Sequence, residues 1–337
     1  MLKSKFEDLL AFLENKKIII STHHLVDIDG LVSCFTLKIF LTYYLKNNEI
    51  SIFFSELSKS AKNFLKNFSA KFPVFNLSYE KEFQGSKAEI ILILDTNNLD
   101  QTKLNDDSDI TLLKIPYIFI DHHYFGEKSE NRNLNITSLN IIFKDYSSTA
   151  EIILQLFETY NTPLNNPLKI LFISAILIDS GFFKHGNNNS IQNVGKLLSE
   201  DIKFQDIRAL LKNDIDLSEK IAKIKGLQRL ELIREGKYLI GITNVSSFGA
   251  AVASMLITIG FDVSIVISKE TKFSRINTRA RKKICEETGL NLAKILEQIS
   301  KKYEGSGGGH DGAASLTIDN ESDYNITELV ENIKKYL

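Results

Sequence analysis

The stretch K-I-I-I-S-T-H-H-L-V-D-I-D-G, residues 17–30, decides the fold of the first half of the chain. Residues 17–20 form a short apolar run, the pattern of a strand buried on both faces. A polar segment with two histidines and two aspartates follows at once. Residues 31–46 then read as a long apolar-rich helix. Strand, polar turn and helix in that order open a parallel α/β unit.

The same alternation continues outward from this stretch. Residues 50–54 read as a second strand and residues 58–68 as a helix. Residues 89–94 (E-I-I-L-I-L) and 117–120 (Y-I-F-I) are two more buried strands, and 148–160 and 168–178 are helices. Such a pattern predicts an α/β fold with a mostly parallel N-terminal sheet flanked by helices. Residues 201–234 are charged and read as a helical connector. A smaller C-terminal α/β domain follows, with strands at 238–243 and 263–268 and helices at 250–259 and 290–303. A glycine-rich break at 305–309, a short strand near 316–318 and a last helix complete it. The expected division is 1–200 for the first domain, 201–234 for the connector and 235–337 for the second domain.

Length and composition agree with two packed domains, since 337 residues exceed one comfortable core. A formal net charge of -1 argues against a protein that grips long duplex DNA through charge. Cys34 and Cys285 sit in apolar helical patterns and read as buried thiols; no CxxC pair is present. The first 17 residues form an amphipathic, partly acidic helix rather than a secretory leader. No run of 18 apolar residues occurs, so no membrane span is expected, and the expected location is the cytoplasm.

Polar residues gather where the strands end. Asp27 and Asp29 follow the first strand, Asp95 follows 89–94, and Asp121-His122-His123 follows 117–120. Asp179 closes a predicted helix. Alone, each aspartate is compatible with a helix cap or a turn. Histidine placement speaks for a shared role. The six histidines are His23, His24, His122, His123, His185 and His310, and each lies in or near one of these segments or the glycine run. In an open parallel sheet, ligands bind beyond the carboxyl ends of the strands. Four carboxylates brought together there repel, and two divalent cations remove that conflict. Asp27, Asp29, Asp95 and Asp179 would then balance the charge, while His23 and His122 add neutral nitrogens. Carboxylate and imidazole without thiolate suits Mn²⁺, with Mg²⁺, Co²⁺ or Fe²⁺ also compatible.

Together these segments resemble the motifs of the DHH phosphoesterase superfamily, in the group that includes nanoRNases, pAp phosphatases and RecJ-like nucleases. H-x-x-x-D-x-D at His23, Asp27 and Asp29 is similar to the first motif. Asp95, Asp121-His122-His123 and Asp179-Ser180-Gly181 resemble the second, third and fourth. Asn97 and Asn98 after Asp95 resemble archaeal members. The resemblance implies that His23 and Asp27 hold one ion, Asp29 and His122 the other, and that Asp95 and Asp179 bridge or serve both. It implies a catalytic part for Asp95, Asp121 and His123, with Asp121 orienting the loop and His123 facing the substrate phosphate. G-S-G-G-G-H-D-G-A-A-S at 305–315 looks like the glycine motif of the DHH-associated C-terminal domain. That likeness makes Gly307, Gly308, Gly309, His310, Arg275 and Arg279 the expected substrate-binding residues.

Departures from the pattern are Ser315 for the last glycine, Ser180 for threonine and the extra His24. Lys184, His185 and Asn187 trail the fourth motif, as cleft or as surface. The expected activity is hydrolysis of short oligoribonucleotides, linear or cyclic dinucleotides, or pAp, with two Mn²⁺ ions. Alternatives are a RecJ-like single-strand exonuclease, a pyrophosphatase or exopolyphosphatase, and a non-catalytic nucleotide sensor. The expected partner is a short RNA or nucleotide, without membrane or long duplex DNA; a homodimer is compatible.

Overall fold

A computed structural model describes residues 2–46, 49–104, 114–123, 136–212, 216–269, 272–320 and 324–337. The chain divides into two units, Met1–Asn213 and Asp214–Leu337. In the first, α1 (Leu2–Leu13) precedes β1 (Ile18–Thr22), β2 (Leu25–Val26), α2 (Ile28–Tyr44), β3 (Ile50–Ile52), β4 (Glu56–Leu57) and α3 (Lys59–Lys71). Then come β5 (Ile90–Leu94), β6 (Tyr117–Asp121), β7 (Ile141–Ile142), α4 (Thr149–Thr159), α5 (Asn166–Asp179), α6 (Asn188–Leu197) and α7 (Phe204–Leu210).

The main sheet runs β3-β1-β5-β6-β7, and every pairing in it is parallel. Side chains alternate between its faces because a strand has period two. Ile18, Ile20, Ile90, Leu92, Leu94, Ile118 and Ile120 join residues of α1, α2, α4 and α5 in the largest core. Ile19, Ile91, Ile93, Tyr117 and Phe119 point the other way. Their described partners, Phe83, Ala88, Leu99, Leu104 and Ile115, lie in connecting segments. Both faces are dry, which explains the unbroken apolar strands; each buried isoleucine contributes about 1.5–3 kcal/mol. Cys34 and Cys285 are buried free thiols.

Caps place the helices that matter for the site. Asp27 starts α2 by accepting from the Gly30 N–H at 3.0 Å. Ser148 caps α4, and Asn165 caps α5 ahead of Pro167. The chain then leaves the helical path after Asp179. Gly181, Phe182 and Phe183 have φ of 59°, 55° and 69°, and the Phe182 N–H returns to the Leu177 carbonyl at 2.6 Å. This left-handed turn stops α5 and leaves Asp179 at its end.

The second unit holds α8 (Leu217–Gln228), β8 (Glu231–Glu235), β9 (Tyr238–Val245), α9 (Gly249–Ile259), β10 (Val263–Lys269) and β11 (Phe273–Ala280). It ends with α10 (Lys282–Thr288), α11 (Leu292–Lys302), β12 (Ser306–His310), β13 (Ala313–Asp319) and α12 (Ile326–Lys334). Its mixed sheet runs β12-β13-β11-β10-β9-β8. Ile276, Leu316 and Ile318 pack with α11 and α12 on one face, and Val266 packs with α9 on the other.

Two stretches differ from the sequence expectation. Residues 201–234 are not helical throughout: α7 lies in the first unit, α8 in the second, and β8 begins at Glu231. Gly236, at φ +56°, turns β8 back onto β9 as an antiparallel pair, a contact that helix-favouring residues do not announce. The glycine run is a strand rather than a break, because β12 pairs with β13 from Ser306 to His310. A Cβ on Gly307 would lie 3.1 Å from the Leu296 carbonyl oxygen, so this glycine admits α11 close to the sheet. Gly309 has φ +149°, and a Cβ there would collide with the Ala313 carbonyl and Ala314. Among the described residues, no helix is long and apolar enough to cross a membrane.

Gly309→Ala should cost about 1–3 kcal/mol through backbone strain and collision. Calorimetry should show a lower melting temperature; a wild-type melt would contradict this account of β12.

Candidate metal centre

The register of the sheet brings the first candidates level with one another. Thr22 pairs with Leu94, and Leu94 with Ile120. The next residue on each of these neighbouring strands is His23, Asp95 and Asp121 respectively. They therefore emerge side by side at the carboxyl ends, where adjacent strands are ~4.8 Å apart. Asp27 and Asp29 enter at the start of α2, and Asp179 from the end of α5. Residues from five segments thus converge, and all six expected metal ligands join clusters whose ligand atoms lie within 4.8 Å of one another. These clusters are His23-Asp27-Asp95, Asp29-His122-Asp179 and Asp95-Asp121-His122-His123.

Asp95 belongs to two of these clusters, as does His122, and Asp95 has two sides. Its Oδ2 lies 3.7 Å from His23 Nε2, which is also 3.7 Å from Asp27 Oδ1. Its Oδ1 lies 3.6 Å from His122 Nε2 and 3.8 Å from His123 Nδ1. Asp95 itself sits at φ +57°, a strained conformation for a residue with a Cβ. Its N–H donates to the Ile120 carbonyl at 3.0 Å, which helps to hold it there.

The DHH segment is braced from beneath. Asp121 is fully buried, and its Oδ1 accepts from the His122 N–H at 2.8 Å and lies 2.9 Å from His123 Nδ1. The Asn97 amide donates to the His123 carbonyl at 2.9 Å. Asp121 therefore holds the His122 backbone and the His123 imidazole rather than facing the cleft. The cleft, about 380 Å³, is lined by His23, His24, Leu25, Asp27, Asp95, Gln101, His123 and Asp179. A second cavity of about 400 Å³ near Lys17, Glu49, Glu80 and Lys87 lies at the opposite ends of the strands.

The electrostatics show how the carboxylates and imidazoles act on one another. Burial pushes the Asp29 carboxyl well up, and the charges of Asp95, Asp179 and Asp27 push it further. Burial also raises Asp95, against the opposing hydrogen bond from His23. Burial works against a charged His23, but Asp27 and Asp95 outweigh it and lift the imidazole to about 10. His122 is lifted to about 9 by Asp179, Asp95 and Asp121, again against burial. His122 Nε2 and Asp179 Oδ2 lie 3.0 Å apart, yet both are buried without an aligned hydrogen bond. Two buried ligand atoms 3.0 Å apart without an aligned hydrogen bond, among carboxylates that burial and repulsion push towards protonation, fit a pair of divalent cations. His23, Asp27 and Asp95 would hold one ion, and Asp29, Asp95, His122 and Asp179 the other.

Sequence reading missed the supports of this centre. Ser33 Oγ lies 3.4 Å from Asp29 Oδ1, and Gln101 and Leu25 line the cleft. Thr149 and Ala150 contact the buried aspartates from α4. The available signal was S-S-T at 147–149, which reads only as a helix cap. Lys184, His185 and Asn187 do not line the cleft; Asn187 caps α6.

The expected substrate-binding residues lie in the second unit. Arg275, Asn277 and Arg279 alternate on β11 and pair with Thr317, Ser315 and Ala313. Ser306, Gly308 and His310 continue these rows on β12. A cavity of about 290 Å³ includes Asn277, Arg279, Gly308, Gly309 and Ser315. Gly307 lies off these rows, paired with Leu316 and turned towards α11.

A carboxylate–imidazole cluster at the ends of a parallel sheet, followed by a separate mixed-sheet unit, defines the class. Residues 17–177 match the DHH family N-terminal domain, and residues 238–337 match the DHHA1 domain. The chain belongs to the DHH family, whose enzymes are phosphoesterases, and carries a C-terminal DHHA1 domain. Over 311 residues it is 30% identical to an uncharacterized protein, MJ0988, of Methanocaldococcus jannaschii, covering 92% of this chain and 89% of that one. An exopolyphosphatase-related protein from Bacteroides fragilis shares the fold, with a TM-score of 0.69, 17% identity and coverage of 99% and 96%. RecJ from Thermus thermophilus, solved with Mn²⁺, has a TM-score of 0.52 and 13% identity, covering 99% of this chain and 54% of that one.

Cation binding should release protons at pH 7, since His23 and His122 must give theirs up to become ligands. Affinity for Mn²⁺ should rise with pH until both imidazoles are neutral, at about 9 for His122 and about 10 for His23. Titration calorimetry in buffers of different ionisation heat reads this; heats independent of buffer would refute it. The raised His23 pKa stabilises the cation-free fold fully below 6.5, and this is lost as pH rises through about 10. The chelated protein should therefore melt progressively lower across that window.

Proposed function

We propose that this chain is a phosphoesterase using two divalent cations, Mn²⁺ foremost, to hydrolyse short oligoribonucleotides, dinucleotides or pAp. The observation that supports it most is Asp95, with one oxygen towards His23 and the other towards His122. A carboxylate so placed suits two ions sharing a ligand. When bound, such a pair supplies polarisation of the phosphoryl group and activation of water at neutral pH.

The chain's own residues do the rest. His123 is 45% exposed at its side chain and lines the cleft, within reach of a substrate phosphate. Asp121 beside His123 Nδ1 raises its pKa, which favours the charged ring; in that form Nε2 can donate to an anionic oxygen. Asp121 keeps that ring oriented without meeting solvent. In the second unit, Arg279 beside Gly308 and Gly309 offers a guanidinium and close backbone, suited to a nucleotide phosphate. A net charge of -1 accords with short substrates rather than long polyanions.

The test is hydrolysis of length-graded oligoribonucleotides, pAp and cyclic di-AMP in Mn²⁺. Absence of product from all of them would sink the proposal. Preference for long single-stranded DNA would move it to an exonuclease; tight nucleotide binding without turnover would make it a sensor. Asp95→Asn should lower kcat by at least ~100-fold, more than loss of a group that only orients a ligand. His123→Ala should lower kcat while Mn²⁺ affinity stays within a few-fold of wild type, checked by calorimetry beside the rate assay.

A further inference from the structure

Asp29 and Asp95, both buried, are held by one helix end. The Thr149 N–H donates to Asp29 Oδ2 at 2.7 Å, and the Ala150 N–H to Asp29 Oδ1 at 3.0 Å. The Thr149 hydroxyl donates to Asp95 Oδ1 at 3.0 Å. Thr149 is fully buried, so this hydroxyl faces no solvent.

The two contacts do different things. Asp29 accepts the free N–H groups at the start of an eleven-residue helix, a favourable place for an anion. Asp95 needs its carboxylate plane fixed, because the terminal torsion of aspartate is broad. Only one plane sends Oδ2 towards His23 and Oδ1 towards His122. Thr149 holds Oδ1 on the His122 side. The helix end is itself braced. Glu151, fully buried, accepts from the Ser147 N–H at 2.8 Å, the Ser147 hydroxyl at 2.7 Å and the Asn193 amide of α6 at 2.9 Å.

We propose that Thr149 is a positioning residue: its hydroxyl sets the plane of Asp95 so that one carboxylate serves both ion sites. This rests on the two-ion reading above. Without the hydroxyl, Asp95 turns, and the His122–Asp179 site loses a ligand oxygen while the His23–Asp27 site keeps one. Occupancy of the second site therefore drops first.

Thr149→Val keeps the shape and removes the donor; Thr149→Ser keeps the donor. Mn²⁺ binding to each full-length protein is measured by calorimetry, and pairing of the ions by the spin-coupled electron paramagnetic resonance signal of two adjacent Mn²⁺. The expected result for Thr149→Val is one site near wild-type affinity and a second weakened roughly 10–100-fold, with the coupled signal lost at two equivalents. Thr149→Ser should retain both ions and the signal. Two tight ions and a coupled signal in Thr149→Val would overturn the proposal. So would equal loss in Thr149→Ser, which would assign the effect to packing of the methyl group. A wild-type protein with no coupled pair would overturn the two-ion reading, and this inference with it.

Discussion

Four carboxylates, those of Asp27, Asp29, Asp95 and Asp179, are crowded into one end of a sheet, and most of the centre is arranged around their repulsion. Burial, and then the charges of its neighbours, drive Asp29 towards its neutral form, while the carboxylates hold protons on His23 and His122 against burial. Such a cluster does not form for stability, since each buried charge costs free energy unless it is paired. It persists because the surrounding fold is strong enough to over-determine it. The strained φ of Asp95, the bracing of Asp121 and the helix end at Thr149 are all parts of that determination.

The strength comes from the parallel sheet. Its strands are buried on both faces, between two apolar cores. Their register makes His23, Asp95 and Asp121 level neighbours. The α2 and α5 helices lie in the same core as one sheet face, which brings Asp29 and Asp179 to the sheet ends. Chemistry and packing are therefore separated along each strand: a buried, mostly apolar run, then polar side chains at its carboxyl end.

The second unit solves another problem with the same alternation. One face of β11 and β13 packs on α11, and the other presents Arg275, Asn277, Arg279 and Ser315. The glycines divide their duties. Gly307 admits the helix, Gly309 permits a backbone path closed to other residues, and Gly308 has open space before it. Ser315, which departs from the glycine motif, stands beside Asn277 in this half-buried row and lines the same cavity.

The fold class and the polar side chains of the centre were legible in the sequence. Short continuous apolar runs ending in Asp or His carry both the strand and its functional residue in contiguous letters, as at 17–30 and 117–123. The supports were not legible. Thr149 lies 54 residues from Asp95 and reads locally as part of a helix cap; its bond to that carboxylate exists only once α4 has packed. The β8 strand was hidden among helix-favouring residues, because pairing with β9 overrode local propensity. Residue types and local periodicity thus determined which side chains were available for chemistry. Only tertiary packing decided which oxygen of Asp95 faces which imidazole, because that depends on register and on a hydrogen bond across the core.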